Sequence, residues 1–301
     1  MRVLVFGATG QVGSELMRDP RAVGLTRADA DLRDPAACAN IIKRANVDAI
    51  INAAAYTDVD GAEKAPGLAH VINGRAPSAM AIAAARRDIP FLHISTDYVF
   101  DGKGHAAWTP KDPTAPLQAY GRSKLAAERT IREIDGPHAI LRTSWVFSDG
   151  GHNFPRSILR AAATRDEIAV VNDQVGAPTY AADIAETLLQ MAEQLVARPS
   201  KSGLYHYASH APLTWAAYAR EVLQAAGSET LIRGIPSSAR PTPAKRPANS
   251  RLCCASLRDV FGIERPDWRT RLPGVVAASG QSRSGTAQPS TSRPATRRWS
   301  A

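Results

Sequence analysis

The 301-residue sequence predicts an α/β fold, a doubly wound parallel sheet with a smaller C-terminal α/β lobe. Three observations predict it. Short apolar runs alternate with longer helical stretches over the first 150 residues, a glycine-rich turn follows the first run, and the alternation loosens after Phe147. A composition of 44% hydrophobic and 22% charged residues excludes fibrous, coiled-coil and wholly disordered classes.

The β-type runs lie at residues 2–6, 23–26, 48–52, 90–95 and 138–146, where apolar and β-branched residues cluster between turn signals. Helical stretches at 12–18, 35–45, 68–87 and 118–134 fill the gaps between them. Beyond residue 147 the pattern gives a helix at 155–163, a strand at 168–171, and helices at 182–196 and 214–226. The expected division is therefore a doubly wound domain over 1–147, a smaller and less regular lobe over 148–275, and a disordered basic tail over 279–301. The tail is Ser, Thr, Gly, Pro, Gln and Arg, too poor in apolar residues to offset the entropy of ordering. Pro273-Gly274 directly after the last aromatic cluster predicts that no closing helix forms there.

The formal charge of +9 is local. Arg233, Arg240, Lys245, Arg246 and Arg251 fall in one segment without an acid, and four further arginines fall in the tail. The rest of the chain is neutral and shows no basic stripe interleaved with aromatics, so a nucleic-acid partner is not expected and a local anion site is. No apolar run reaches the roughly 18–20 residues that span a bilayer, and the N-terminus has no signal-peptide pattern. Cys38 and the neighbours Cys253 and Cys254 show no metal-ligand spacing, which suits a reducing cytoplasm and no metal site.

Gly7-Ala8-Thr9-Gly10-Gln11-Val12-Gly13 stands between the first strand and the first helix. Gly7 allows the tight turn, Gly10 lets backbone approach a pyrophosphate, and Gly13 allows close helix-to-strand packing, the Rossmann-type arrangement. Dinucleotide binding follows. At the end of the second strand an acid would read the ribose hydroxyl and an arginine would accommodate a 2′-phosphate. Arg27 favours NADPH; Asp29 and Asp31 leave NADH open.

Tyr120 and Lys124 are four residues apart on a predicted helix, one turn apart on one face. A lysine cation there is expected to lower the phenol pKa, making Tyr120 a proton donor to an oxyanion. Upstream, His93-Ile94-Ser95-Thr96-Asp97 runs from a buried strand into a loop at the sheet end where ligands lie. A hydroxyl there, Thr96 in preference to Ser95, could polarise a carbonyl.

These motifs, with Ser95-Thr96-Asp97-Tyr98-Val99-Phe100-Asp101-Gly102 and Tyr120-Gly121-Arg122-Ser123-Lys124, resemble the extended short-chain dehydrogenase/reductases. Within them the chain is similar to the dTDP-4-dehydrorhamnose reductase family over about residues 1–272. Further matches are Asn52-Ala53-Ala54-Ala55-Tyr56-Thr57-Asp58-Val59-Asp60, Arg142-Thr143-Ser144-Trp145-Val146-Phe147 and Gln174-Val175-Gly176-Ala177-Pro178-Thr179. The resemblance implies reduction of the C4 ketone of dTDP-4-dehydro-6-deoxy-L-mannose to dTDP-β-L-rhamnose, a precursor of lipopolysaccharide O-antigen. It implies Thr96, Tyr120 and Lys124 as catalytic residues and Gln11, Val12, Asp31, Leu32, Ala55, Tyr56 and Thr57 as cofactor contacts, with Lys124 also holding the nicotinamide ribose. Val59, Asp97 and Trp145 would border the sugar, and Lys245 and Arg246 would lie near the nucleotide diphosphate. Some relatives form a homodimer around Mg²⁺; only Glu15 matches a ligand position, so the residues themselves do not support that metal.

Two rivals stand beside this reading. A 4,6-dehydratase needs an acid after the Thr-Asp pair, where this chain has Tyr98, while a 4-epimerase is not excluded by that residue. A non-catalytic regulatory subunit similar to methionine adenosyltransferase β would not need Thr96, Tyr120 and Lys124 intact.

Overall fold

The computed structural model describes residues 1–281. In chain order the elements are β1 (Val3–Phe6), α1 (Gln11–Leu16), β2 (Ala22–Leu25), α2 (Pro35–Arg44), β3 (Ala49–Asn52), α3 (Val59–Lys64), α4 (Pro66–His70), α5 (Ala76–Ala85), β4 (Phe91–Thr96), α6 (Ala119–Glu133) and β5 (His138–Thr143). Then come β6 (Val146–Phe147), α7 (Phe154–Ala162), β7 (Glu167–Val171), β8 (Val175–Gly176), β9 (Thr179–Tyr180), α8 (Ala181–Ala197), β10 (Gly203–His206), β11 (Leu213–Thr214), α9 (Trp215–Ala225), β12 (Leu231–Ile235), α10 (Ala255–Phe261) and α11 (Leu272–Gln281).

The main sheet has six parallel strands in the order β10-β5-β4-β3-β1-β2. Its strands are apolar on both faces because both faces are covered. Val3, Val5, Ile51, Leu92 and Leu141 meet α1 and α8 on one side, while Leu4, Phe6, Ile50, Phe91 and Ile140 meet α2, α5 and α6 on the other. The period of two that separates these sets is the strand's own. The strand order reverses between β1 and β3, which opens a crevice at their carboxyl ends.

α2 shows why the helices begin where they do. The Asp34 carboxylate accepts from the Ala37 N–H, Pro35 fills the first helical position, and Lys43 and Arg44 occupy the last turn.

A third core carries the smaller lobe. Phe147, Ile158, Tyr218 and Trp268 pack together beneath α7, α9 and the β7–β12 pair. The chain beyond 147 also returns to the main sheet, where β10 pairs with β5 and α8 covers the β1 side.

The helix over 68–87 forms without a break, as α4, a wider π-helical turn at Val71–Arg75 and α5. Two local expectations are corrected. The strand over 138–146 ends at Thr143, because Trp145 takes a positive φ of 48° before β6 begins. A closing helix does form: α11 starts at Leu272, so Pro273 falls in the first turn, where its missing N–H is not needed, and Leu272 and Val275 bury against Trp268. The expected tail over 279–301 thus begins inside α11, and its remainder lies outside the described residues.

Candidate active site

A cleft of about 1150 Å³ lies over the carboxyl ends of β1, β3, β4 and β5. Gly7, Gly10, Gln11, Val12, Arg27, Asp31, Leu32, Ala55, Tyr56, Thr57, Val59, Thr96, Asp97, Tyr120, Lys124 and Trp145 all line it. Of the expected site residues Gly13 and Lys245 do not, and the place of Gly13 is behind the loop. A Cβ on Gly13 would stand 1.9 Å from the Gly7 carbonyl oxygen, so the residue is needed for close packing. Gly7 has a φ of +85°, and a Cβ there would meet the Ala54 backbone at 2.7 Å. The turn therefore has a bare backbone at the mouth of the β1/β3 crevice, and the first turn of α1 has N–H groups that no helix bond uses. That cradle fits a pyrophosphate.

Just beyond the end of β2, Arg27 is largely exposed and its Nε lies 3.7 Å from the Asp31 carboxylate. Arg33 donates to Asp31 through Nε at 2.7 Å, and its side-chain and backbone hydrogen bonds hold the Asp31 carboxyl down to about 2. Asp31 is thus an anion bracketed by two guanidinium groups.

At the other end, β4 and the start of α6 bring the chemistry together. Thr96 ends β4, and its hydroxyl accepts from the Tyr98 N–H at 3.1 Å and donates to Asp97 Oδ1 at 3.2 Å. Ser95 also borders the cleft, but its hydroxyl donates to Glu128 Oε1 at 2.5 Å and is committed to the buried interior. Burial raises the Asp97 carboxyl to about 7, against the lowering effect of the Ser250 and Thr96 hydroxyls.

Tyr120 and Lys124 share the cleft as their spacing requires, but the electrostatics differ from the sequence expectation. Burial, reinforced by Asp97, pushes the Tyr120 phenol above its ordinary value, and the Thr96 hydroxyl opposes this. Lys124 does not pull it down, because burial brings Lys124 itself down to about 7. Its Nζ donates to the Ile94 carbonyl at 2.6 Å and lies 3.1 Å from His93 Nε2. In the protein alone the lysine is turned toward the sheet.

Several lining residues carry no local signal in the sequence. Trp215 stacks on Trp145 with ring centroids 3.5 Å apart, across 70 residues of chain. Residues 148–152 close over the glycine loop, with the Ser148 hydroxyl donating to Gln11 Oε1 at 2.8 Å. Of the five-residue basic segment, only Arg246 lines the cleft, and it is paired to Asp60 at 2.9 Å. Arg233 pairs with Glu167, and Arg251 donates to the His105 carbonyl. No group of three or more potential metal ligands occurs among the described residues, and no described helix is long and apolar enough to cross a membrane.

The family model described as RmlD substrate binding domain matches residues 1–280. The chain is 43% identical over 285 residues to a dTDP-4-dehydrorhamnose reductase of Burkholderia thailandensis, covering 89% of this chain and 96% of that protein. It is 39% identical over 290 residues to the one from Escherichia coli K12, covering 92% and 97%. Among solved structures, a dTDP-4-dehydrorhamnose reductase from Clostridium acetobutylicum aligns with a TM-score of 0.86 at 30% identity, covering 92% and 99%. Its counterpart from Bacillus anthracis, in complex with NADP, aligns at 0.84 and 30% identity, covering 90% and 96%. A UDP-glucose 4-epimerase at 15% identity and a TM-score of 0.78 shares the fold. With a family model matched across nearly its whole length and relatives near 40% identity that it covers almost end to end, this chain belongs to the RmlD family of dTDP-4-dehydrorhamnose reductases.

Proposed function

We propose that this chain reduces the C4 ketone of dTDP-4-dehydro-6-deoxy-L-mannose with NADPH, giving dTDP-β-L-rhamnose. A single cleft lined by Gly7, Gly10, Thr96, Tyr120 and Lys124 carries this conclusion, because it joins a dinucleotide cradle to an acid/base pair. The relative from Bacillus anthracis with bound NADP supports the cofactor. Arg27 meets the 2′-phosphate, and Gln11, Val12, Leu32, Ala55, Tyr56 and Thr57 flank the dinucleotide.

The bound nicotinamide supplies the hydride. Thr96 donates a hydrogen bond to the ketone oxygen, a role supported by the commitment of the Ser95 hydroxyl to Glu128. Tyr120, kept protonated by burial, gives its proton to the alkoxide oxygen as it forms. Lys124 in its ammonium form then stabilises the phenolate. Val59, Asp97 and the Trp145–Trp215 stack border the sugar, and Arg246 lies on the diphosphate side. Residues 1–147 supply the cofactor side, and the lobe over 148–275 supplies most of the sugar side. The reaction belongs in the cytoplasm, where nucleotide sugars are made.

Tyr98 stands where a dehydratase would need an acid, edge-on to Tyr120 with centroids 6.1 Å apart. A phenol held above its usual pKa is no substitute for that acid. The test is loss of the reduced nicotinamide's ultraviolet absorbance on adding the sugar nucleotide, with NADPH and NADH in parallel. Sugar-dependent oxidation, faster with NADPH, is expected. Cofactor binding without hydride transfer would favour the regulatory-subunit reading.

A further inference from the structure

Behind Lys124 lies a polar chain that the reduction itself does not use. His93 on β4 is fully buried and stands directly beside Asn52 on β3 in the strand register. Asn52 Oδ1 accepts from the Ala54 N–H at 3.1 Å, which fixes the orientation of the carboxamide. The opposite orientation would set an NH₂ against that N–H. Asn52 Nδ2 therefore faces His93 Nδ1, at 3.1 Å, and donates to it. A nitrogen that accepts carries no proton, so the neutral imidazole holds its proton on Nε2. Nε2 is 3.1 Å from Lys124 Nζ. An N–H aimed at that nitrogen finds a lone pair on an amine and only further protons on an ammonium. Burial keeps the imidazole neutral, so it is not a second cation.

We propose that Asn52 and His93 are positioning residues that set the charge of Lys124. While Asn52 holds the Ala54 amide, His93 presents Nε2–H and favours the lysine amine. Reversal of the Asn52 carboxamide gives the Nδ1–H tautomer, turns the Nε2 lone pair to Nζ, and favours the ammonium. Glu128, one turn further along α6, favours the ammonium from the other side, and Tyr120 lies one turn before. The reversal leaves the Ala54 N–H facing the NH₂ without an acceptor. Ala54 lines the cleft and packs against Gly7, so the switch ties the lysine charge to the loop that cradles the dinucleotide. The inference rests on the catalytic role proposed for Lys124, yet its test needs no turnover.

The experiment is nitrogen-15 NMR of the His93 ring in the full chain, with titration of the Lys124 ε-carbon assigned by its loss in Lys124→Met. The wild-type ring is expected as the Nε2–H tautomer. In Asn52→Asp a carboxylate oxygen replaces the NH₂, so the ring is expected as Nδ1–H, with the Lys124 midpoint raised by about one pH unit, a tenfold change. The same substitution made in His93→Phe controls for the added charge, and there the midpoint should move far less. An Nδ1–H ring in the wild type overturns the proposal whether or not the variants fold. So does an equal Asn52→Asp shift in both backgrounds. Wild-type protein that shows the expected tautomer but oxidises no NADPH with the sugar would instead count against the proposed reaction.

Discussion

Replacing Glu128 by Gln breaks a fully buried ion pair between α6 and β5. Glu128 and Arg142 are each 1% exposed, joined by Nη2 to Oε2 at 2.6 Å and Nε to Oε1 at 2.9 Å. Ser95 adds its hydroxyl to the same Oε1, and the Arg142 guanidinium sits 5.0 Å from the Phe100 ring centroid. The glutamine keeps the shape but strands the guanidinium and puts an NH₂ against a donor. Removing one partner of such a pair costs about 3–5 kcal/mol. With about 2.1 cal/mol/K of unfolding entropy per residue over 301 residues, each kcal/mol is worth about 1.6 °C, and the melting temperature should fall by about 5–8 °C. Circular dichroism melts of Glu128→Gln, Arg142→Met and the double variant are the assay. The double variant should recover part of the loss, since no charge is left alone. A Glu128→Gln melt within about 2 °C of wild type would refute the reasoning, because the pair would then be contributing only what an exposed one does.

Tyr120→Phe should lower turnover by about 10² to 10⁴ fold with NADPH affinity nearly unchanged, as steady-state kinetics and a binding titration would show; wild-type turnover removes Tyr120 from the mechanism. Lys124→Met tests the buried amine through stability. With the native pKa depressed to about 7 from 10.5, the folded state bears the whole desolvation cost below 7, and native stability rises as pH climbs from there toward 10.5. The variant's stability relative to wild type should therefore be greatest in acid and shrink in base, and a difference independent of pH would contradict this. Arg27→Asp should shift the kcat/KM ratio toward NADH, and an unchanged ratio would return Arg27 to the solvent.

The fold was legible where local rules suffice. The five apolar runs became β1 to β5 because a parallel sheet covered on both faces favours strands that are apolar over most of their length. The strand β10 was not legible as a strand: Gly203-Leu204-Tyr205-His206 is only four residues long, and its membership comes from pairing with β5, Gly203 opposite Ala139. α11 was misread because Pro273 breaks a helix interior but suits a helix start, and only the packing of Leu272 and Val275 on Trp268 decides which applies. In the site, the glycine loop and the Tyr120 to Lys124 spacing are sequence-local, so motif reading reached them. Trp215, the pairing of Arg246 with Asp60 and the Ser148 to Gln11 link are contacts across the fold, and no spacing encodes them, although the basic segment did single out Arg246 itself. The electrostatics were hidden for a different reason. Spacing places Lys124 near Tyr120, but the Ile94 carbonyl and His93 decide where the amino group points.

The central claim is that Thr96, Tyr120 and Lys124 act on a C4 ketone at the end of a dinucleotide cleft. NADPH deuterated at the nicotinamide C4, given to the wild type with dTDP-4-dehydro-6-deoxy-L-mannose, tests it most directly when the product is read by mass spectrometry and NMR. One deuterium on sugar C4 of dTDP-β-L-rhamnose is the result predicted, greatly slowed in Tyr120→Phe. Deuterium elsewhere on the sugar, or none while the substrate is consumed, would contradict it.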